Sequence, residues 1–198
     1  MITNVEAVFF DLDDTLWAVA PVIHRAERKI YTYLQEHFPR LTDAMDLEEI
    51  RKVRSQVYAS RPDLAHDLTT SRRLAFESLL SDFDYDPQAA VALTDLFLDY
   101  RNRVALYSDV IPALERLRNH FKLVVVTNGN ADIERVGIGE FSQPKSAPRK
   151  RVAANHWPEF SNSRAARSMW NLLQWFMWGI IRSMISRVLS ELEFDRSG

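Results

Sequence analysis

The chain of 198 residues contains no cysteine, which excludes disulfides and thiolate metal sites and leaves a reducing compartment open to it. An excess of one charge is also missing. Lys and Arg number 25 against 27 Asp and Glu, a formal net charge of -2, which argues against bulk nucleic-acid binding. The opening residues "MITNVEAVFF" have no basic n-region and no cleavable apolar stretch, so no signal peptide is expected and the cytoplasm is the default location. The apolar stretch "MWNLLQWFMWGII", Met169 to Ile181, is broken by Asn171 and Gln174 and is too short to cross a bilayer. Internal repeats and low-complexity segments are absent. What is there, 46% hydrophobic and 26% charged residues, describes a soluble globular chain. Its length suits one domain of moderate size, or a core with a subdomain inserted into it.

The averages hide a break near Phe141. Up to that residue 16 Lys and Arg face 23 Asp and Glu; beyond it 9 face 4. Four of the five tryptophans (Trp157, Trp170, Trp175 and Trp178) also lie beyond it, so the two parts do not resemble one protein.

Two short apolar runs read as strands. Val5 to Phe10 ends at Asp11, and Lys122 to Thr127, "KLVVVT", runs into the polar turn "NGN". Continuous apolar runs of this length suit parallel strands buried on both faces. Between them lie helical patterns. Pro21 to Phe38 sets Ile23, Ile30, Leu34 and Phe38 on one face, and Asp46 to Tyr58 sets Leu47, Ile50, Val53 and Val57. Leu68 to Phe83 follows, then Pro87 to Tyr100 with Asp86 as N-cap and Pro87 at the first helical position. Val110 to His120, with Leu114 and Leu117 inward, feeds directly into the second strand. The order predicts an α/β fold whose long helical insertion covers the carboxyl edge of the strands, where open α/β sheets bind ligands.

"FFDLDDTLW" places three carboxylates, Asp11, Asp13 and Asp14, directly behind the first strand. Asp11 and Asp13, two positions apart at a strand end, can face one crevice, where they repel unless a cation intervenes. A hard divalent ion such as Mg2+ takes oxygen ligands and removes that repulsion. One carboxylate is then free to act as nucleophile and the other as proton shuttle. Thr127 would bring a hydroxyl to the same edge and, with the backbone N–H groups of Asn128 and Gly129, hold a phosphoryl oxygen. Asp and Thr behind a strand are also ordinary turn and N-cap residues, so each motif alone admits a purely structural reading.

Together, "FFDLDDTLW" and "VVVTNGN" resemble the haloacid dehalogenase (HAD) superfamily over residues 1 to about 141. The resemblance implies a Rossmann-like α/β core with a parallel sheet and an inserted helical cap of the C1 type. It divides the chain into core residues 1–17, cap residues 18–103, further core 104–141 and an atypical tail 142–198. It implies Mg2+-dependent phosphatase activity on a small phosphorylated metabolite. Asp11 is then the nucleophile that forms an aspartyl phosphate, and Asp13 the general acid/base that lends its backbone carbonyl to the metal. Thr127, Asn128 and Gly129 hold the phosphoryl group. A narrower similarity, carried by "DLDDTLWAVAPVIHRAE", "HDLTTSRR" and "TNGNADIERVGIGEF", is to bacterial phosphatases acting on FMN and on a phosphorylated ribitylaminouracil intermediate of riboflavin synthesis. It makes His66, Asp67, Arg72 and Arg73 candidates for substrate contact, against the alternative of a solvated helix start with a charged face.

Two family elements are missing from the tail. The third motif is a lysine that neutralises nucleophile and phosphate; the fourth, G-D-x-x-x-x-D behind an apolar strand, supplies further metal carboxylates. Their places hold "RVAANHWPEF" and "QWFMWGIIRSMIS", and Lys145 falls too early. Trp and Met have single codons, which allows a test by the genetic code. In a frame taking the last base of one codon and the first two of the next, Trp175 to Gly179 reads Val-(His/Tyr)-Val-Gly. Gly179 into Ile180 can read Asp, and Met184 into Ile185 must read Asp, which restores the fourth motif behind a strand. Ala154 into Asn155 can read Lys and Asn155 into His156 can read Pro, as the third motif requires. A frame displacement just after Phe141 is therefore expected, leaving the core incomplete at its C-terminal end.

Three expectations follow for the chain as written: a HAD phosphomonoesterase, a catalytically impaired remnant of one, or a binding module using the apolar tail on lipid or protein. A mutase or dehalogenase fits the same motifs, because they fix the nucleophile and not the leaving group.

Overall fold

The computed structural model describes residues 7–64 and 67–142. The chain divides into two units, Met1–Ala153 and Ala154–Gly198, and every described residue lies in the first. The third- and fourth-motif positions, Lys145 and the apolar stretch Met169 to Ile181 all fall outside the described residues.

The described part of the first apolar run forms β1 (Ala7–Phe10), and the second forms β2 (Lys122–Val125). They pair in parallel with Ala7 opposite Lys122 and Phe10 opposite Val125. One more bond, from the Val126 N–H to the Phe10 carbonyl at 3.0 Å, closes the ladder. Both chains then turn away, so β2 ends at Val125, short of the expected Thr127. The parallel register brings Asp11 and Thr127 off the same edge of the sheet.

Six helices are held between and beside the strands: α1 (Val19–His37), α2 (Pro39–Ala44), α3 (Leu47–Ser60), α4 (Leu68–Asp82), α5 (Ala89–Arg101) and α6 (Val110–Arg118); the short α7 (Ile133–Val136) follows β2. The α3 start is fixed by a reciprocal capping box: the Glu49 N–H donates to Asp46 and the Asp46 N–H donates to Glu49, each at 2.8 Å. At α4, Asp67 accepts from the Thr70 N–H at 2.9 Å. The expected Asp86 cap is not formed. Bonds from Ala89 N–H to the Asp86 carbonyl and from Ala90 N–H to the Pro87 carbonyl wind that segment as a tight turn. Asp86 instead holds the Gln88 N–H, and α5 starts at Ala89. The α2 turn was not expected; Pro39 cannot continue α1 but suits a first helical turn, so the chain breaks and restarts there.

Two apolar clusters result. Around the sheet, Phe10, Leu12, Trp17, Leu114, Leu123 and Ile138 are buried together. The second cluster packs Ile30, Leu34, Ile50, Leu79, Leu93 and Phe97 from α1, α3, α4 and α5. The fold is thus α/β with a parallel sheet and an inserted helical cap. Inside the cap, Glu27 is buried and bonded by Arg51 at 2.7 Å and also by Arg54. Burial alone would raise its pKa, but the two guanidinium groups outweigh it and hold the carboxyl below its ordinary value. Among the described residues no helix is long and apolar enough to cross a membrane.

Candidate active site

Asp11 is the first residue past the β1 ladder and is half-buried there, with its Oδ1 fully buried and without a hydrogen-bond partner. Burial raises its pKa above the ordinary carboxylate value. The Leu12 N–H and the Thr127 hydroxyl, both donating to it, pull the other way, and the neighbouring charges of Asp13 and Asp14 add to the rise. The Thr127 oxygen in turn accepts from the Gly129 N–H at 3.1 Å. The Gly129 N–H that was expected to face a phosphoryl oxygen is therefore engaged within the loop, and Asn128 is exposed.

Asp13 is fixed at both oxygens. Oδ1 accepts from the indole N–H of Trp17 at 3.0 Å, and Oδ2 accepts from Arg101 Nη2 at 2.5 Å. Trp17 is wholly buried, and Arg101 is 1% exposed at the last turn of α5. Arg101 Nε reaches the Asn130 side-chain oxygen at 3.3 Å, and Asn130 Nδ2 reaches Thr69 Oγ1 on α4 at 3.4 Å. The cap helices α4 and α5 therefore meet the loop behind β2 at the sheet edge that carries Asp11. Gly129 has a specific reason to lack a side chain, because a Cβ there would stand 2.6 Å from Asp13 Oδ2 and 3.4 Å from Thr127 Oγ1. Asp14 does a structural job. With φ 56° it turns the chain, and its Oδ1 accepts from the Val19 N–H at 2.9 Å to cap α1.

The structure thus gathers Asp11, Asp13, Thr127 and Gly129. Of the cap candidates, His66 lies outside the described residues and Asp67 caps α4. Arg72 is buried in the cap, its guanidinium 3.4 Å over the Phe97 ring and its Nε without a partner. Desolvation lowers its pKa to about 10. It lines a narrow cleft with Glu27, Arg54, Ile50 and Phe97, so it is not part of a solvated charged face. Arg73 is exposed and pairs with Glu77 at 3.4 Å. Arg101, Trp17 and Asn130 were missed. An arginine ending an apolar helix ordinarily reads as a surface cation beside the helix C-terminus, and nothing local marks it as buried.

A hard divalent cation fits the residues present in one respect: the orphaned, buried carboxylate oxygen of Asp11, with a raised pKa and two further acids beside it, lacks the positive charge it calls for. No cluster of three or more acidic or histidine side chains suited to a metal exists among the described residues. Mg2+ is commonly held by one or two carboxylates with waters and substrate phosphate, and Asp11 offers the first of these.

The sequence model of the haloacid dehalogenase-like hydrolases matches residues 5–150. Among curated proteins, the chain is 32% identical over 142 residues to the 5-amino-6-(5-phospho-D-ribitylamino)uracil phosphatase YigB of Escherichia coli K12, covering 70% of this chain and 59% of that protein. Among solved structures, the 2-haloacid dehalogenase of Pseudomonas syringae pv. Tomato DC3000 is 37% identical with a TM-score of 0.62, covering 70% of this chain and 61% of that one. The chain therefore spans about three fifths of the length of each relative.

Proposed function

Because this chain belongs to the haloacid dehalogenase-like hydrolase family, we propose that its site is built to hydrolyse small phosphomonoesters through an aspartyl phosphate on Asp11. One observation carries this reading: a buried carboxylate with an unpartnered oxygen stands beside the Thr127 hydroxyl and the Asp13 carboxylate at one sheet edge. A carboxylate oxygen of Asp11 attacks phosphorus, the phosphorus–oxygen bond to the alcohol breaks, and Asp13, entering the step as the carboxylic acid, gives the leaving alkoxide its proton. Asp13 then takes a proton from water, whose oxygen attacks the aspartyl phosphate and releases inorganic phosphate, restoring the Asp11 carboxylate and the Asp13 carboxylic acid. Thr127 orients Asp11 and steadies a phosphoryl oxygen. A bound Mg2+ would neutralise the charge shared by Asp11 and the phosphoryl group.

The substrate class follows from the YigB likeness and from the cap sequence "HDLTTSRR": FMN or a phosphorylated riboflavin-pathway intermediate, entering beneath a cap that spans residues 18–103. The family match and the break in composition both fall near residues 141–150, in keeping with a displaced reading frame beyond Phe141. Without the lysine and acids of the third and fourth motifs, the chain as written lacks electrostatic stabilisation worth several kcal/mol of barrier. Its turnover is accordingly expected to be slow. A cytoplasmic setting suits such a substrate.

The test is Mg2+-dependent release of inorganic phosphate from FMN and from an aryl phosphate, with Asp11→Asn and EDTA as controls. Slow release that both controls abolish supports the reading; equal turnover in either control refutes it. Halide release from a 2-haloacid without phosphate release would favour the dehalogenase reading that the Pseudomonas likeness raises. Sequencing the encoding DNA across codons 138 to 190 tests the displaced frame, which fails if no frame yields the two missing motifs.

A further inference from the structure

Arg101 is buried to 1% exposure, yet only part of its donor set is used. Nη2 is bound to Asp13 and Nε to Asn130, while Nη1 is buried with no acceptor. A buried guanidinium donor without an acceptor is unusual, because leaving it unpaired is costly. Its surroundings say what acceptor would suit it. Asp13 Oδ2, Thr127 Oγ1 and Arg101 Nη2 crowd the Gly129 backbone together, at 2.6, 3.4 and 3.5 Å from where a Cβ would stand, so the guanidinium sits against the same loop as the acids. Thr127 in turn bonds Asp11. Arg101 therefore belongs to the group that surrounds the nucleophile, and it is the cation that group contains among the described residues.

We propose that Arg101 binds the phosphoryl group of the substrate through Nη1 while its Nη2 and Nε position Asp13 and Asn130. The inference rests on the phosphomonoester reading and deepens it by assigning a binding residue from the cap's last helix. A phosphate oxygen is the acceptor that suits a planar guanidinium fork with one free arm. Because Arg101 ends α5 and Asn130 touches Thr69 on α4, the same side chain ties the cap to the loop behind β2. Because a phosphoryl group would take Nη1, the Nη2 bond that holds Asp13 Oδ2 is kept while it binds. No bond is made or broken at Arg101 itself.

The experiment uses the full chain with Mg2+ and inorganic phosphate as probe. Arginine side-chain 15N–1H spectra are followed through a phosphate titration, with the Arg101 signal assigned by its loss in Arg101→Lys. The expected result is a saturable shift of that signal. Phosphate binding should weaken at least tenfold in Arg101→Met and by less in Arg101→Lys, and stay unchanged in the exposed control Arg61→Met. Saturable binding to the wild type with an unmoved Arg101 signal overturns this inference and leaves the phosphomonoester reading standing. Absence of any phosphate binding to the wild type sinks both. Should Arg101→Met fail to fold, the wild-type spectrum alone decides.

Discussion

Asp11→Asn should abolish phosphoryl transfer and at the same time stabilise the protein. The substitution keeps the side chain's shape and keeps one oxygen to accept from the Leu12 N–H and the Thr127 hydroxyl. It removes a buried negative charge that has one oxygen without a partner and two like charges nearby. The amide nitrogen would take the unpartnered position, so one polar atom stays unpaired there; leaving it charged adds about 2 kcal/mol to leaving it neutral, and weakening the accepted hydrogen bonds returns about 1 kcal/mol of that. The net expectation is a gain of ~1 kcal/mol, a rise of about 2–4 °C in melting temperature for a chain of this size. The pH dependence has a definite sign. Because the folded pKa of Asp11 is raised, the protonated form is the favoured folded one. Its contribution is fully present below the unfolded value of 3.8 and is lost as pH rises through the folded pKa. The Asn variant's advantage should therefore be largest at pH 7 and shrink towards acid. Thermal melts of both proteins in EDTA, at pH 7 and near pH 4, measure this. A variant less stable than wild type at pH 7, or an advantage that does not change with pH, would refute the reasoning.

Gly129→Ala places a methyl 2.6 Å from an Asp13 oxygen that Arg101 holds at 2.5 Å, so the carboxylate must shift and that charge-assisted bond stretch. The expected loss is about 1.5–3 kcal/mol, read as a lower urea midpoint together with loss of phosphate release. Glu27→Gln strips the cap of the carboxylate shared by Arg51 and Arg54, whose side chains keep 23% and 20% exposure, and should cost on the order of 3 kcal/mol at pH 7. Since Glu27 has a lowered pKa, that stabilisation is present above 4.5 and is lost as pH falls through the folded value, so wild type and variant should converge in acid melts. Asp14→Ala loses the α1 cap and sets a Cβ-bearing residue without a local polar partner at φ 56°, costing about 1–2 kcal/mol. Asp14→Gly removes the cap but suits the backbone, and should recover a good part of that loss in urea titrations.

Much of the scaffold was legible locally. The apolar runs ending at Phe10 and beginning at Lys122 are strands, and α1, α3, α4, α5 and α6 appear where hydrophobic spacing put them, because a buried face imposes its period on the sequence. Boundaries were less legible. The start of α5 moved past Asp86 and Pro87, where backbone bonds wind a tight turn while the Asp86 side chain still holds the Gln88 N–H, and a proline split off α2.

The sequence by itself determined the chemistry on offer: carboxylates behind one strand, a threonine behind another, and no thiol for any alternative. Residue type and strand order do not depend on distant packing, which is why these could be read directly. Only the tertiary structure decided which charges meet. Arg101 lies 88 positions from Asp13, Thr69 lies 61 from Asn130, and Arg72 turns out to be a cap-core cation over Phe97. A long side chain's partner is set by how the cap packs over the sheet edge, and that arrangement leaves no periodic trace along the chain.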